Sequence, residues 1–361
     1  MSLGRRAGAL VNTLLVVASA VVCLAAIELF LIWDNWRPRF DHTTLEFGGH
    51  KFRVLEPAEA LRDLRNTAAV LGDSFTHGAA CGAERNYPGH LGRLVRQHGD
   101  PYRVVNLGVS GADPFMYLQL VEGLLASGRS PSFLVVTLYA NDIEVSCSVC
   151  GFLERVRNDP AFSAEEIARL ETFCRARCAK LDDTTMVGTE HFSLVRRAHT
   201  WLYTKLYVYG LLRDTLARLA MRVGINVGWG RAAYPPLWQN HQSLEFRLVK
   251  LARGGIRDAL RRAGDGRMMV VIYPDVQNIR KDNVYFSIYQ GVEEDLSKSL
   301  GVPVSSGYPA FLDQAEARQN MPYSLTDNHP SCKAHELFAR WVFVQFERLN
   351  RNNPPLRLTG R

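Results

Sequence analysis

The chain has 361 residues, a formal net charge of +7, 47% apolar residues and 22% charged residues. This composition is typical of a globular protein with one large core, and it excludes a disordered or low-complexity chain. The positive charge is not organised into a zinc finger, a basic leucine-zipper region or another nucleic-acid module, so no nucleic-acid partner is expected.

The N-terminus contains a long apolar run over residues 7–33, AGALVNTLLVVASAVVCLAAIELFLIW, whose only charge is Glu28. The run is long enough to cross a bilayer and longer than the core of an ordinary signal peptide. Trp33 and Trp36 fit an aromatic anchor at the membrane interface. Residues 1–33 are therefore predicted to be a transmembrane helix that anchors the protein, while basic residues on both sides of the run leave its orientation open.

Strands and helices alternate beyond this anchor. Residues 34–64 are predicted to be a polar, irregular segment that leads into a domain over residues 65–349, followed by a tail at 350–361. Three apolar stretches, TAAVLG, YRVVNLG and SFLVVTLY, are typical of buried strands, and stretches with apolar residues at helical spacing lie between them. This alternation predicts βαβ units and a mostly parallel sheet.

An insertion interrupts the alternation after the third strand. Residues 143–265 are predicted to be mainly helical, with 191–223 as the longest amphipathic stretch. A helix near 242–263 leads to a fourth strand, RMMVVIYP, and a helix around 291–300 leads to a short fifth strand, VPVSS. The last element is predicted to be a helix over residues 331–349.

Six of the seven cysteines follow the apolar run, and an even number suits disulfides in an oxidising compartment. The soluble part is therefore expected outside the cytoplasm, in a periplasmic or extracellular location. Within the insertion, the motifs CSVC and CRARC suit either a zinc site or two disulfides. Disulfides that join Cys147 or Cys150 to Cys174 or Cys178 are favoured, no metal site is expected, and the connectivity stays open.

Polar residues follow three of the predicted strands. Ser74 comes directly after the first strand, in VLGDSFTHG, the motif NLGVSG ends at Gly111 after the second strand, and Asn141 follows the third. Because the carboxyl ends of parallel strands share one edge of a sheet, these residues are expected at one rim, where open α/β folds bind ligands. A further polar loop, with Asp327 and His329, precedes the last helix.

These residue types suit acyl transfer by an activated serine. A serine hydroxyl is a poor nucleophile until a base takes its proton, and the base needs a partner that fixes its orientation. Ser74, His329 and Asp327 can fill these three catalytic roles. The tetrahedral oxyanion also needs hydrogen-bond donors. The backbone N–H groups of Ser74 and Gly111 and the side chain of Asn141 are the candidate oxyanion hole.

The same motifs resemble the sequence blocks of the SGNH (GDSL-type) hydrolases. The segment GDSF around Ser74 is similar to the nucleophile block, NLGVSG to the glycine block, the ND pair at Asn141 to the asparagine block, and the HP pair at His329 to the terminal histidine block. The resemblance covers residues 66–142 and 267–345. It implies a three-layer α/β/α, flavodoxin-like fold with a mostly parallel five-stranded sheet. It also implies ester or acyl-transfer chemistry without a metal or organic cofactor.

Two positions depart from the pattern of that family. The common histidine block has Asp three residues before His, where this chain has Thr326, and Asp327 lies two residues before His329 instead. Such spacing occurs in SGNH-like members that handle acetyl groups on exopolysaccharides, so Asp327 is kept as the orienting acid. The asparagine block usually begins with Gly, where this chain has Tyr139, which is expected to narrow the pocket, to contact substrate or to pack.

Other residues near the motifs have competing interpretations. His77 is a candidate substrate contact or a solvated loop residue, and Asp73 is expected to accept hydrogen bonds from turn N–H groups. His335, inside the last helix, is a second candidate base with no acid near it in the sequence. Cys81 and Cys332 each follow a block closely, and their places in the implied fold suggest a disulfide across the site.

The resulting hypothesis is a membrane-anchored, extracytoplasmic serine esterase or acyltransferase that removes or transfers acetyl groups on an envelope glycan. The insertion begins directly after Asn141, so it is expected to shape the cleft or to act as a lid, unless it is only a stabilising hairpin. The first alternative function is hydrolysis of lipid or lysophospholipid esters. The others are a non-catalytic SGNH-fold protein that binds glycan or acts as a scaffold, and a structural membrane protein of a secretion or assembly complex.

Overall fold

The fold is given by a computed structural model. The chain divides into two units: one comprises residues 1–39, 189–231 and 324–328, and the other comprises residues 40–188, 232–323 and 329–361. The sheet and the helices around it belong to the second unit. The structure describes residues 16, 19–27, 43–47, 49–78, 81–143, 146–178, 238–264, 266–274, 284–316 and 330–352.

A parallel five-stranded sheet is the centre of the second unit. The strands of the chain are β1 (Thr43–Phe47), β2 (His50–Val54), β3 (Thr67–Gly72), β4 (Arg103–Gly108), β5 (Phe133–Leu138), β6 (Arg267–Ile272) and β7 (Val304–Ser306). The sheet has the order β4-β3-β5-β6-β7, and its four pairings are all parallel. This is the flavodoxin-like order, so the predicted strands and the predicted type of sheet are confirmed.

The central strands owe their position to uninterrupted apolar sequence. Every residue of β3 and of β5 is buried, which is typical of parallel strands with helices on both faces. Such strands read as continuous Val, Leu and Ala runs, because no face is left for polar residues. The sheet therefore ends abruptly where the first polar residues occur, and that edge carries the candidate site.

Helices cover the sheet. They are α1 (Ser74–His77), α2 (Tyr87–Gln97), α3 (Pro114–Ala126), α4 (Leu153–Asn158), α5 (Ala164–Phe173), α6 (Leu244–Ala263), α7 (Val284–Leu300), α8 (Tyr308–Glu316) and α9 (Cys332–Asn352). Short 3-10 helices span Ala58–Leu61, Ala140–Ile143 and Cys147–Phe152, and a π-helical turn spans Cys174–Cys178. Of the long helices, α2, α3, α6, α7 and α9 match predicted ones, whereas α8 was not predicted.

The helices form a layer on either side of the sheet, as the three-layer prediction requires. Helix α2 packs against α9, and α3 packs against α6. The Tyr87 hydroxyl of α2 is hydrogen-bonded to Thr137 of β5, and the ring of Phe346 of α9 lies 4.9 Å from that of Phe133 of β5. Because Phe133 and Thr137 are four residues apart in one strand, they point to the same face, so α2 and α9 share one layer.

Residues 43–54 form a β-hairpin, so the prediction of an irregular segment over 34–64 is wrong there. β1 pairs with β2 in antiparallel register from Thr43 opposite Val54 to Phe47 opposite His50. The hairpin buries only alternate side chains, whereas its other residues are partly or fully exposed. The alternation and the Gly-Gly pair between the strands are a hairpin signal that the polar composition concealed.

The described parts of the insertion are helical, as predicted. They comprise the elements from Cys147 to Cys178 and helix α6, which leads into β6. The predicted amphipathic helix over 191–223 lies outside the described residues.

Residues 19–27 near the N-terminus are helical, and Val21, Val22 and Leu24 are exposed. No helix within the described residues has the length and apolar character that crossing a membrane requires. Most of the predicted transmembrane run over 7–33 lies outside the described residues.

We predict that Gly108→Ala destabilises the fold by about 1–3 kcal/mol, because overpacking at a rigid position has this cost. A Cβ at Gly108 would lie 2.3 Å from the backbone nitrogen of His77, which cannot move without displacing α1. The measurement is the free energy of unfolding of the full chain from urea titrations followed by circular dichroism.

Gly254→Ala is the matched control for this prediction. Gly254 lies inside α6, and a Cβ there would meet no atom within 4 Å. The control is expected to stabilise the chain by about 0.5–1 kcal/mol, because alanine is the better helix former. Equal stability of the Gly108→Ala variant and the unaltered chain would contradict the close approach of β4 to α1.

Candidate active site

Ser74 lies at the carboxyl end of β3, as the first residue of the short helix α1, and it is half-buried. The helix begins there because Asp73 caps it: the Phe75 N–H donates to Asp73 Oδ1 over 2.9 Å. The backbone carbonyl of Asp73 also accepts from the N–H groups of Thr76 and His77. The expected role of Asp73 in holding the turn is therefore confirmed.

The backbone is tightly packed around α1. A Cβ at Gly72 would lie 2.1 Å from Thr76 Oγ1, so only glycine fits at the end of β3. The buried side chain of Asn106, on β4, accepts from the Gly108 N–H over 2.8 Å. It also donates from Nδ2 to the carbonyl oxygens of Thr76 and His77. Asn106 thereby joins the segment NLGVSG to the helix that begins with Ser74.

Gly111 lies in the exposed loop that follows β4. Its φ of +76° is in the left-handed region that favours glycine, and a Cβ there would meet no atom within 4 Å. Two residues later, Asp113 caps α3 by accepting from the N–H groups of Phe115 and Met116. The loop is therefore held at its far end, and the role of the Gly111 N–H as an oxyanion donor stays a prediction.

Asn141 lies in the 3-10 turn Ala140–Ile143 that follows β5, and its Nδ2 donates to Asp73 Oδ2 over 3.3 Å. The carboxylate of Asp73 thus binds the start of α1 with one oxygen and Asn141 with the other. Ser74 and Asn141 are brought together in this way, and Asn106 bonds the end of β4, which leads to Gly111, to the same helix.

Asp142 is buried and folds back onto the strand end instead of capping the segment that follows. Its carboxylate accepts from the Tyr139 N–H and from the Tyr117 hydroxyl, each over 2.9 Å. Burial raises the pKa of Asp142, and the guanidinium of Arg253 opposes that rise. Arg253 Nη2 lies 3.6 Å from Asp142 Oδ2, and both side chains are almost completely inaccessible.

Sequence reasoning missed Arg253, because a charged side chain on an amphipathic helix is ordinarily interpreted as part of the solvated face. Its neighbours on α6 fit that interpretation, since Arg261 and Arg262 are exposed. Arg253 is buried because it lies on the apolar side of the helix, between Ala252 and Ile256, which are both buried. The helical spacing of those apolar residues was the available signal, and the charge of the side chain concealed it.

Tyr139 packs against the residue that follows Ser74. Its ring stacks on that of Phe75 with 3.6 Å between centroids, and the edge of Tyr273 lies against Phe75 at 5.4 Å. The tyrosine that replaces the glycine of the family pattern therefore packs against Phe75, the residue that follows Ser74. A direct contact of Tyr139 with substrate stays a prediction.

His77 is buried, with 5% of its surface exposed, so the expectation of a solvated loop residue is wrong. It is the last residue of α1, and its carbonyl oxygen accepts from the side-chain amides of Asn86 and Asn106. A contact between His77 and substrate stays a prediction.

The predicted base and its orienting acid, His329 and Asp327, lie outside the described residues, as does Thr326. The description resumes at Pro330, and Cys332, the first residue of α9, forms a disulfide with Cys81. This bond confirms the suggested pairing. It joins the chain seven residues after Ser74 to the chain three residues after His329.

His335, the second candidate base, is buried in the first turn of α9. Its ring lies 6.4 Å from that of Tyr87 and 6.5 Å from that of Tyr273, measured between centroids. This aromatic surrounding fits a core histidine.

Two further disulfides join the motifs of the insertion, Cys147 to Cys178 and Cys150 to Cys174. The favoured disulfides are confirmed, and the zinc alternative is wrong for these cysteines because their sulfurs are bonded to each other. Across the described residues, no group of three or more His, Cys, Asp or Glu side chains is arranged to hold a metal ion.

The insertion is also bonded to the loop that carries Gly111. The hydroxyl groups of Ser146 and Ser148 both donate to the carboxylate of Asp113, two residues after Gly111. The disulfide-linked segment therefore lies next to the loop that follows β4, and its role in shaping the cleft stays a prediction.

The sequence model of the GDSL-like lipase/acylhydrolase family matches residues 70–244. This range contains Ser74, Gly111 and Asn141 but neither His329 nor Asp327. No curated protein sequence matches the chain.

Several solved structures are similar to this chain at low sequence identity. TesA is 14% identical, with 78% of this chain and 99% of TesA covered and a TM-score of 0.41. The psychrotrophic esterase EstA from Pseudoalteromonas sp. is 12% identical, with 80% and 100% covered and a TM-score of 0.41. A two-domain esterase active on acetylated mannans is 13% identical, with 81% and 52% covered and a TM-score of 0.39.

We predict that the double substitution Cys81→Ser/Cys332→Ser destabilises the protein by about 2–4 kcal/mol, because the bond closes a long loop and restricts the unfolded chain. The two cysteines are 251 residues apart in sequence. The measurement is the free energy of unfolding of the full chain, with and without reductant.

Cys23→Ser is the control, because Cys23 is an exposed free thiol. It is expected to leave the unfolding free energy unchanged under oxidising conditions. A double variant as stable as the unaltered oxidised chain would contradict the disulfide between the two segments.

Proposed function

Because the chain belongs, over residues 70–244, to the GDSL-like lipase/acylhydrolase family and is a serine hydrolase, we propose that it removes or transfers acetyl groups on an envelope glycan. In this proposal the enzyme is anchored to a membrane by its N-terminus and acts outside the cytoplasm. The observation that carries the proposal is the carboxylate of Asp73, which holds Asn141 beside the turn that presents Ser74.

The proposed reaction begins with attack of Ser74 Oγ on the acyl carbonyl carbon, while His329, oriented by Asp327, takes the hydroxyl proton. The oxyanion is stabilised by the N–H groups of Ser74 and Gly111 and by Asn141. Collapse of the tetrahedral intermediate breaks the ester C–O bond, and His329 returns the proton to the leaving sugar oxygen. Water then attacks the acyl-enzyme and releases the acid, or a second sugar hydroxyl attacks and accepts the acyl group.

Asn141 can make its bond to Asp73 and the proposed bond to the oxyanion at the same time. A side-chain amide nitrogen carries two hydrogens, so Asn141 can donate one to Asp73 and the other to an oxyanion. A donor that is already held in place loses little orientational freedom when the charge develops, which is the condition for strong oxyanion stabilisation.

The aromatic pair of Phe75 and Tyr139 favours a small acyl group. These rings stack with 3.6 Å between centroids, and Phe75 directly follows Ser74, so we infer that they narrow the space open to a long acyl chain. An acetyl group needs little of this space, whereas a fatty acyl chain needs a channel of several methylene lengths. Esters of lipids are therefore the second candidate.

The location outside the cytoplasm is supported by the three disulfides, because such bonds persist in oxidising compartments. The membrane anchor is supported by the apolar sequence over 7–33 and by the exposed apolar side chains on the described part of that run, Val16, Val21, Val22, Leu24 and Ile27. An enzyme held at a membrane in this way meets envelope glycans and lipid headgroups.

We predict that Ser74→Ala lowers the hydrolysis of p-nitrophenyl acetate by at least about 10³-fold, because removal of a serine nucleophile leaves only residual catalysis. The assay uses the detergent-solubilised full chain. Ser299→Ala, at an exposed serine of α7, is the control and is expected to keep full activity.

The same assay with butyrate and octanoate esters separates the two substrate classes. Preference for acetate supports the glycan proposal, whereas preference for octanoate would favour lipid esters. Activity that persists in Ser74→Ala would rule out this nucleophile. Inactivity of the unaltered chain towards both the esters and an O-acetylated glycan would favour a binding or scaffold protein.

We also predict that Asn141→Ala lowers kcat by about 10²–10³-fold with a small change in KM, because the lost donor acts mainly on the transition state. Asn158→Ala, at an exposed position that ends α4, is the matched control. Steady-state kinetics on p-nitrophenyl acetate give both constants. An unchanged kcat would remove Asn141 from the oxyanion hole.

A further inference from the structure

Arg253 is the largest charged group buried in the described part of the protein. Its side chain is 0% exposed, although it comes from the helical insertion and not from the central sheet. Arginine is almost never buried to this extent unless it is paired, because removing a charge from water is costly. The groups around Arg253 must therefore offset the free-energy cost of burying its charge.

Two groups contact this guanidinium. Nη2 lies 3.6 Å from Asp142 Oδ2, and Cζ lies 4.6 Å from the ring centroid of Tyr117 on α3. Asp113 and Asp73 also act on it electrostatically. Within the described residues, none of its three nitrogens has a hydrogen-bond partner, so the guanidinium is held by charge and by the aromatic face.

The carboxylate that Arg253 contacts belongs to the turn that carries Asn141. Asp142 follows Asn141 directly and accepts from the Tyr139 N–H and the Tyr117 hydroxyl. These two bonds close the turn onto the end of β5 and onto α3. On its other side, the turn is bonded to Asp73 through Asn141.

We propose that Arg253 is a positioning residue that keeps the Asp142 carboxylate in its hydrogen-bonded place and thereby fixes the Asn141 amide in the oxyanion hole. This inference rests on the proposed function. It gives the insertion a task in the reaction besides forming a wall, because the positioning charge comes from α6.

The groups that face the Asp142 carboxylate explain why it needs a positive charge beside it. They are Arg253 on α6, the Tyr117 hydroxyl on α3 and the carboxylate of Asp73 after β3. Burial raises the pKa of Asp142, the guanidinium lowers it, and the charge of Asp73 raises it again. Without Arg253, Asp142 takes up a proton at a higher pH. A protonated carboxyl becomes a donor at one oxygen and cannot accept both of its present bonds in the same way.

The test compares Arg253→Met with Arg253→Lys and with the double variant Arg253→Met/Asp142→Asn. Methionine removes the charge, lysine keeps it, and the double variant removes both charges while it retains an amide oxygen that accepts from the Tyr139 N–H. Arg261→Met, at an exposed position of the same helix, is the matched control. Each full-length protein is assayed with p-nitrophenyl acetate between pH 5 and 9, and its unfolding midpoint is measured in parallel.

We expect Arg253→Met to lower kcat at pH 7 by about 10²-fold with little change in KM, since a displacement of about 1 Å in an active site has an effect of this size. Activity requires ionised Asp142, whose pKa burial raises to about 8, so activity is lost as the pH falls through that range. The acid limb of the kcat profile is therefore expected at higher pH in Arg253→Met than in the unaltered enzyme.

Arg253→Lys is expected to move the acid limb back towards the unaltered enzyme. The double variant is expected to keep a lowered kcat without an acid limb from residue 142, because its amide, like a protonated carboxyl, donates at one position and cannot accept both bonds. If Arg253→Met does not fold, a lowered kcat in a folded double variant still supports the proposal, and a folded double variant with the kcat of the unaltered enzyme overturns it.

A folded Arg253→Met variant with the kcat and pH profile of Arg261→Met would also overturn the positioning role. That result leaves the proposed function intact if the activity still depends on Ser74. Activity that is independent of Ser74 would instead overturn the proposed function itself.

Discussion

The candidate site depends on the buried carboxylate of Asp73. One of its oxygens starts the helix that presents Ser74, and the other binds the amide of Asn141 from the next strand of the sheet. These two bonds hold the Ser74 turn and the Asn141 amide in a defined arrangement at the shared edge of the sheet. A side chain with fewer acceptor sites could not bind both elements, which gives a physical reason for an acid next to the serine.

Close backbone approach is the second constraint, and it places the loop after β4 beside the same helix. Gly72 and Gly108 lack the Cβ atoms that would overlap α1, and Asn106 fills the remaining space with hydrogen bonds to the carbonyl groups of that helix. The rim is therefore tightly packed where β3 and β4 end against α1. Such rigidity suits an oxyanion hole, whose donors must already be in place when the charge develops.

The insertion contributes to the site through charge and covalent bonds. Its cysteines form two disulfides, and its serine hydroxyl groups donate to Asp113 in the loop that carries Gly111. Its helix α6 places Arg253 beside Asp142. The region that interrupts the alternating strands and helices is thus connected to the sheet edge at two places. The low dielectric around the buried charges strengthens the electrostatic interactions. It also raises the free-energy cost of a buried charge that lacks its partner.

Local sequence patterns were enough to predict the strands of the sheet, most of the long helices, the sheet-edge position of Ser74 and the presence of disulfides. These features depend on local patterns: continuous apolar runs, helical spacing, turn residues and the number of cysteines. The folded chain was needed to establish how the four cysteines of the insertion pair, that Arg253 is buried, that Asp142 turns inward and that residues 43–54 form a hairpin against the core. The physical reason is that burial and pairing depend on residues distant in sequence, which a short segment does not contain.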